Sequence, residues 1–359
     1  MKKVLYIATM GKKRNRLDGE TIKCRVLQDY LSKIENIKLN SIDTDNWQAN
    51  IIILVLKVIY YYLFSDIIII SAADRGANIL LNFLYKIRNK KKVYYFVIGG
   101  ALSKNIVEKR WNTGIYKNID NIYVESNILK NDLKKLGIEN VYKMNNFRNI
   151  SFNSLLIEDP NFEEEKKKKL KGKVELVFFG RVIKEKGIEE AIKLVKMLNH
   201  EFKENNIEKI ITLDIIGQAK EEYRENVEKL IDNDENIKSL GAIIPNNIDE
   251  YKILEKYDLF ILPTEYKGEC LPGALVDAYI SGLGVIVSNW KYAKEYVQDG
   301  KNGIIFEYKN YDDMYKKVKE LLLDEEKIIN YKKSSYNLRK EYDIEYVLKE
   351  FKEELEKDK

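Results

Sequence analysis

Short apolar runs alternate with amphipathic segments along most of this chain. Residues 4–8 and 93–98 form continuous apolar runs, and residues 174–179 form an apolar run interrupted by Glu175; such runs are typical of buried parallel strands. Between such runs, apolar residues recur at helical spacing, as they do over residues 22–34. Strands that alternate with helices predict an α/β fold with parallel sheets.

The most apolar stretch covers residues 51–70, and Lys57, Ser65 and Asp66 interrupt it. A bilayer-spanning helix needs about 20 apolar residues, so these interruptions favour a helix over residues 50–63 followed by a strand over 67–70. The predicted helix is apolar on most of its sides. It is therefore either deeply packed or partly facing lipid, and we expect deep packing.

A block of charges over residues 159–173, DPNFEEEKKKKLKGK, predicts a linker or an exposed hairpin. A length of 359 residues predicts about two domains. We therefore expect a first domain over residues 1–155, joined by a helix at about 340–359, and a second domain over 170–339.

Composition excludes several classes of function. Lys and Arg number 62 against 57 Asp and Glu, and no basic run carries interleaved aromatic residues, so nucleic-acid binding is not expected. The net charge of +5 is compatible with an anionic ligand or an anionic membrane surface. Two distant cysteines fit a reducing cytoplasm. A single His excludes a His-rich metal site, and the D-x-D sequences at 43–45 and 232–234 resemble turn acids, so no metal is expected.

Candidate chemistry is densest in residues 264–289. An apolar strand over 259–262 precedes a loop that carries Glu269, and Pro272 then marks the start of a helix that carries Asp277. In open α/β sheets, ligands bind beyond the carboxyl ends of the strands. Free backbone amides near Leu271 and Gly273 would suit a phosphate group at this place.

A second candidate loop follows the strand at 174–179. Its sequence, GRVIKEKG, places Arg181 and Lys186 between a strand end and a helix start. Arg181 can chelate two phosphate oxygens, and Lys186 adds a mobile point charge. Together these two cations predict an anion pocket.

These motifs resemble the signatures of the retaining glycosyltransferases of family 4. Residues 269–277, ECLPGALVD, followed by GLGVI at 282–286, look like the family's two acids with seven residues between them and the Gly-x-Pro-Val-Ile that follows. GRVIKEKG is similar to a second signature, and GETIK at 19–23 to the family's first loop. Three positions depart from the pattern, because Asp277 replaces Glu, Cys270 replaces Gly and Gly284 replaces Pro.

The resemblance implies a GT-B fold, in which two Rossmann-like domains face each other across a cleft. The last helix then crosses back to the first domain, and Tyr346, Leu348 and Phe351 are its expected contacts. Arg181, Lys186 and Glu269 are the implied catalytic residues, with Glu269 on hydroxyls of the donor sugar. Asp277 is implied to contact the ribose, and the backbone at Leu240 and Gly241 the base. The implied donor-binding residues are Gly19, Gly180, Gly217, Leu240, Gly241, Cys270, Leu271, Pro272, Gly273 and Asp277.

The resemblance also implies an activity: transfer of a sugar from a nucleotide diphosphate sugar, UDP-linked by expectation, to a glycan or glycolipid acceptor in bacterial surface polysaccharide or lipopolysaccharide synthesis. No cofactor besides this donor is expected. The expected location is the cytoplasm, with peripheral contact to the inner membrane left open. Two alternatives remain at this stage, a GT-B nucleotide-sugar epimerase and a non-catalytic partner subunit of a transferase.

Overall fold

The chain divides into two units, and each is built on a parallel sheet. The computed structural model describes residues 1–87, 91–150, 156–242 and 248–357. One unit comprises residues 1–149 with 342–359, and the other residues 150–341. Within the described residues, each unit holds a six-stranded parallel sheet flanked by helices. The predicted class, two Rossmann-like α/β domains, is confirmed.

The first unit has the strand order β2-β1-β3-β4-β5-β6. Its strands are β1 (Lys2–Ala8), β2 (Ile37–Asp43), β3 (Ile67–Ala73), β4 (Lys92–Ile98), β5 (Asn121–Val124) and β6 (Val141–Lys143). Its helices up to β6 are α1 (Gly19–Ser32), α2 (Ile51–Leu63), α3 (Asp74–Ile87), α4 (Leu102–Glu108), α5 (Thr113–Lys117) and α6 (Asn127–Lys135), and a 3-10 turn, Trp47–Asn50, leads into α2. The strand order reverses between β1 and β3, which makes their carboxyl ends a topological switch point.

The second unit has the strand order β12-β11-β10-β7-β8-β9. Its strands are β7 (Lys173–Phe179), β8 (Ile210–Ile216), β9 (Ile237–Gly241), β10 (Leu259–Leu262), β11 (Gly284–Ser288) and β12 (Gly303–Phe306). Its helices are α7 (Phe162–Gly172), α8 (Ile188–Glu204), α9 (Glu221–Ile231), α10 (Ile248–Leu254), α11 (Gly273–Ile280), α12 (Ala293–Tyr296), α13 (Tyr311–Leu322) and α14 (Glu325–Leu338), with 3-10 turns at Leu156–Glu158, Lys184–Lys186 and Arg339–Tyr342. Its switch point lies between β7 and β10.

The last helices, α15 (Ile344–Val347) and α16 (Lys349–Glu356), return to the first unit. Leu348 and Phe351 are buried in its core, and the Phe351 ring meets the Tyr94 and Phe96 rings edge-on at centroid distances of 5.4 and 5.1 Å. The predicted return of the last helix is therefore confirmed. The prediction for Tyr346 is wrong, because its side chain is 69% exposed.

The charge block after residue 159 is helical, so the predicted linker or hairpin is wrong. Helix α7 carries Glu163, Glu164 and Glu165 in its first turn and Lys169 and Lys171 in its last turn. This order of charges complements the helix macrodipole and provides favourable i, i+4 neighbours. The helix is anchored by two buried apolar side chains, Phe162 and Leu170. Residues 151–155, at the predicted end of the first domain, lie outside the described residues.

Helix α2 forms where it was predicted, but the expected deep packing is wrong. Only Val58 and Tyr62 of this helix are buried, and most of its other apolar side chains are exposed. A helix that is apolar on all sides is expected to have its surface buried. The sequence pattern does not specify whether this chain or another molecule buries it. Of the helices described, none is both long and apolar enough to cross a membrane.

Candidate functional site

Two loops meet at the switch point of the second unit. One follows β7 over residues 180–187, and the other follows β10 over residues 263–272. The Glu265 N–H donates to the Glu185 carbonyl at 2.7 Å, and the Thr264 hydroxyl donates to the same carbonyl at 3.3 Å. A Cβ at Gly187 would lie 2.1 Å from the Pro263 carbonyl oxygen. The absence of a side chain at Gly187 therefore permits this close docking of the two loops.

A buried ion pair joins the two loops. The Lys186 ammonium contacts the Glu269 carboxylate, and each residue is 9% exposed. The Thr264 hydroxyl donates to the same carboxylate at 3.4 Å. A buried charge is costly unless it is paired, so each side chain fixes the position of the other. The structure thus brings together two of the predicted catalytic residues.

Arg181 is exposed beside this pair. Its guanidinium carbon lies 5.6 Å from the centre of the Tyr266 ring, and the Lys186 nitrogen lies at the same distance from that ring. A ring face attracts cations and holds them close without neutralising them. Tyr266 therefore gathers the two cations, a role that the sequence reasoning missed because no spacing rule marks a single loop aromatic.

The start of α11 completes the charged site. Pro272 precedes the first helical residue, Gly273, and no side chain caps this helix end. A Cβ at Gly180 would lie 3.7 Å from the Ala274 Cβ, so the Gly180 turn lies against the first turn of the helix. Backbone N–H groups in a first helical turn have no intrahelical acceptor and favour an anion. Cations and amide groups thus converge at one place.

A pocket of about 690 Å³ lies beside this site. It is lined by Val182, which follows Arg181, and by Gly217, Ser239 and Gly241 from the ends of β8 and β9. A Cβ at Gly217 would lie 1.6 Å from the Gly180 carbonyl oxygen. The backbone at Gly217 can therefore lie this close to the backbone at Gly180 only because residue 217 has no side chain. Leu240 is 48% exposed and is not part of this lining.

Four predicted donor-binding side chains, those of Cys270, Leu271, Pro272 and Asp277, are buried. The Trp290 indole N–H donates to the Cys270 carbonyl at 3.1 Å, and Leu271 lies in the same buried segment. Asp277 is 1% exposed and accepts a hydrogen bond from the Tyr251 hydroxyl at 3.1 Å. Its contact with a ribose stays a prediction.

Replacing Gly187 with alanine should strongly destabilise the second unit. Gly187 has φ +77°, which costs an L residue about 1–2 kcal/mol, and overlap with the Pro263 carbonyl adds about 1–3 kcal/mol. Gly300 is the matched control, because it has φ +78° with open space around it. Denaturant unfolding should show a clearly larger loss for Gly187→Ala than for Gly300→Ala. Equal losses would mean that the loops are not tightly docked.

The switch point of the first unit carries acids. Gly19 is the first residue of α1, and the next residue, Glu20, accepts from the Ala73 N–H at 3.0 Å. Asp74 begins α3 and accepts from the Asn105 amide at 2.7 Å, and burial raises the pKa of Asp74 to about 6. Sequence reasoning missed Asp74, since only the topology places it at the switch point. The donor-facing role of Gly19 stays a prediction.

The first D-x-D sequence runs from the last residue of β2, Asp43, into the turn that follows, and the second lies just after α9. Asp43 accepts from the Met10 N–H at 2.9 Å and from the Lys12 N–H at 3.1 Å, while Asp45 pairs with Arg14 and Arg16. The hydrogen bond from Arg14 lowers the pKa of Asp45 to about 2. Within the described ranges, no group of three or more His, Cys, Asp or Glu residues could hold a metal ion. Independence from metal stays a prediction.

Known proteins that are similar to this chain in sequence include glycosyltransferases. Residues 160–352 match the model of a family described as glycosyl transferases group 1. An uncharacterized glycosyltransferase of Methanocaldococcus jannaschii is 28% identical over 244 residues, which cover 64% of this chain and 59% of the relative. The poly(ribitol-phosphate) alpha-N-acetylglucosaminyltransferase of Staphylococcus aureus is 23% identical over 261 residues, which cover 70% of this chain and 49% of the relative. The chain thus matches only about half to three-fifths of the length of these relatives.

The fold has close relatives among solved structures. The crystal structure of Anabaena HepE in complex with UDP-glucose aligns with a TM-score of 0.73 over 99% of both chains, at 13% identity. At this identity the likeness concerns the fold alone.

Proposed function

The chain belongs to the family of glycosyl transferases group 1, and we propose that it moves a sugar from a nucleotide diphosphate sugar to an acceptor hydroxyl. The observation that carries this proposal is the buried Lys186–Glu269 pair, with Arg181 exposed beside it at the switch point of the second unit. Two neighbouring cations and a helix start without a side-chain cap suit a diphosphate. The carboxylate suits sugar hydroxyl groups.

In the proposed reaction, the bond between the anomeric carbon and the β-phosphate oxygen breaks, the acceptor oxygen forms the new bond to that carbon, and the acceptor's O–H proton passes to the departing diphosphate. The nucleoside diphosphate leaves with the electron pair, so negative charge grows on its β-phosphate. Groups that are already positioned where charge develops provide the largest stabilisation. We assign this role to Arg181, Lys186 and the amides at the start of α11. Glu269 orients the sugar and holds Lys186 in place.

We further propose a UDP-linked donor, with its nucleoside in the pocket beside Val182, Gly217 and Gly241. The HepE complex with UDP-glucose supports this choice, since a related fold accommodates that donor. We also propose a retaining outcome, as in family 4. The alpha linkage named for the Staphylococcus aureus relative supports retention, because it is the outcome expected from an alpha-configured donor.

We propose a glycan or lipid-linked acceptor in surface polysaccharide synthesis, with the reaction in the cytoplasm. The Staphylococcus aureus relative, whose name gives poly(ribitol-phosphate) as its acceptor, supports a polymer acceptor. The charged site also argues against a non-catalytic partner subunit, which would have no need of a buried ion pair beside an exposed arginine.

A panel of nucleotides tests the proposal. UDP at about 100 times its Kd should stabilise the protein by about 2.7 kcal/mol in thermal unfolding, whereas GDP and ADP at the same concentration should stabilise it less. Excess EDTA should leave the UDP shift unchanged. No stabilisation by any of the three would favour the partner-subunit alternative.

Turnover of UDP-sugars then separates the remaining alternatives. Release of free UDP, together with a product whose anomeric NMR coupling matches the donor's configuration, is the expected result. An isomerised nucleotide sugar without free UDP would instead identify an epimerase.

A further inference from the structure

Helix α2 presents an apolar stripe to the outside of the first unit. Ile52, Leu56 and Leu63 are 73%, 62% and 64% exposed, and Ile59 and Tyr60 lie on the same side of the helix. Val58 and Tyr62 point to the opposite, buried side. Contiguous exposed apolar surface of this kind marks an interaction site more often than scattered apolar residues do.

Cations stand at both ends of this stripe. Before the helix, Lys12, Lys13 and Arg14 are exposed, and Arg14 pairs with Asp45 in the turn that leads to Trp47 and α2. After the helix, the Lys91 ammonium donates to the Ser65 carbonyl at 2.6 Å, and the Tyr62 hydroxyl donates to the Ile87 carbonyl at 2.8 Å, which places the exposed Lys86 near the helix end. Helix α2 itself contains no acid.

We propose that α2 lies in the surface of an anionic lipid bilayer, with its apolar stripe among the acyl chains and the flanking cations against lipid phosphates. A helix of 13 residues is about 20 Å long, too short for a hydrocarbon core of about 30 Å, so it lies in the membrane plane. This is the arrangement of interfacial helices, whose binding combines apolar burial with attraction to anionic lipid. The inference rests on the proposed function in one respect only: the proposed cytoplasmic reaction determines which face of the membrane α2 binds.

Side chains at the edge of the stripe suit an interface. Lys57 is exposed on the flank of the helix, where its long stem reaches from apolar surroundings to the headgroups. The rings of Tyr60 and Phe64 meet edge-on at a centroid distance of 5.3 Å. Tyrosine and tryptophan rings favour the level of the headgroups, where one edge is apolar and the other is wet.

A second copy of the chain fits this surface less well. A symmetric dimer would place the same patch on both sides of its interface. Cations flank both ends of α2, the helix carries no acid, and the one acid just beyond its end, Asp66, accepts from the Lys3 N–H at 2.9 Å. Either orientation of the partner helix would therefore bring mainly like charges together. Anionic lipid complements the same charges.

Flotation with vesicles tests the inference on the full-length protein without donor or acceptor. The protein should bind vesicles of phosphatidylcholine and phosphatidylglycerol, and bind phosphatidylcholine alone more weakly. The triple variant Ile52→Ser, Leu56→Ser, Leu63→Ser should lose at least about tenfold in partitioning, since each removed CH₂ group lowers membrane affinity. The matched control is Val107→Ser, on the 59% exposed Val107 of α4 in the same unit, and it should bind like the wild type.

Charge and oligomeric state provide the second readout. The double variant Lys57→Glu, Lys86→Glu should weaken binding to the anionic vesicles while leaving binding to phosphatidylcholine unchanged. The inference is overturned if the wild type does not float, or if Val107→Ser loses as much as the triple variant. It is also overturned if light scattering shows a dimer that the triple variant abolishes while no variant changes flotation. Because the assay contains no substrate, its failure leaves the transfer proposal standing.

Discussion

Replacing Glu269 with glutamine should destabilise the second unit by about 3 kcal/mol and lower sugar transfer at least about 100-fold. The substitution keeps the shape of the side chain but leaves the Lys186 ammonium without its charge partner. Breaking a buried pair costs about 3–5 kcal/mol, and the lower end applies because the two side chains keep 11% and 10% of their surface exposed. Sugar transfer falls for a separate reason, because the glutamine neither fixes the position of Lys186 nor orients the donor sugar.

The double variant Lys186→Met, Glu269→Gln separates these two effects. It removes both charges, so denaturant unfolding should show that most of the lost stability returns, while transfer stays low. Glu265→Gln, in the same loop, is the control and should transfer sugar at close to the wild-type rate. If Glu269→Gln retained wild-type turnover, the assignment of this carboxylate to the donor site would be wrong.

Arg181→Ala should lower kcat/KM for transfer at least about 100-fold with little change in stability. Arg181 is exposed and contacts the Tyr266 ring rather than a buried acid, so the fold does not depend on it. Its proposed partner, the β-phosphate, becomes more negative as the donor bond breaks. The loss should therefore appear in kcat as well as in KM for the donor.

Two further variants define what Arg181 contributes. Arg181→Lys keeps the charge but loses the two-pronged grip on phosphate oxygens, so it should recover only part of the activity. Lys184→Ala removes an exposed cation three residues away in the same loop and should leave transfer near the wild-type level. A loss for Lys184→Ala as large as that for Arg181→Ala would indicate a general effect of positive charge rather than a specific contact.

The sequence predicted that the loops carrying Arg181, Lys186 and Glu269 lie at one edge of a sheet, because order along the chain determines position at a switch point. The roles of these residues stay predictions. Strand β10 is a short, continuous apolar run, and β7 is mainly apolar with Glu175 inside it, so both are recognisable without an alignment. Once both are assigned to one parallel sheet, the residues that follow them, Arg181 to Lys186 and Glu269, have to meet at its carboxyl edge. The direct pairing of Lys186 with Glu269 was not predicted, because sequence spacing does not specify side-chain contacts across 83 positions.

The two wrong predictions on helices have physical reasons. The charge block of α7 has the composition of a solvated loop, but its acids precede its lysines, and this order stabilises a helix. The apolar residues of α2 predicted burial because most apolar helices in soluble domains are covered by the same chain. Asp74 escaped notice because a single acid after a strand has no signature until the sheet order is known.

Helices α15 and α16 follow the second unit in sequence, yet they pack in the core of the first unit beside β1. Ile344, Leu348 and Phe351 pack there with Val4 and Tyr6 of β1. During synthesis on the ribosome, the second unit can fold as soon as its own residues emerge, whereas the first cannot be completed until residues 342–357, which follow the second unit in sequence, have also emerged. The unit translated first is therefore completed last, and until then its sheet exposes apolar surface that chaperones recognise.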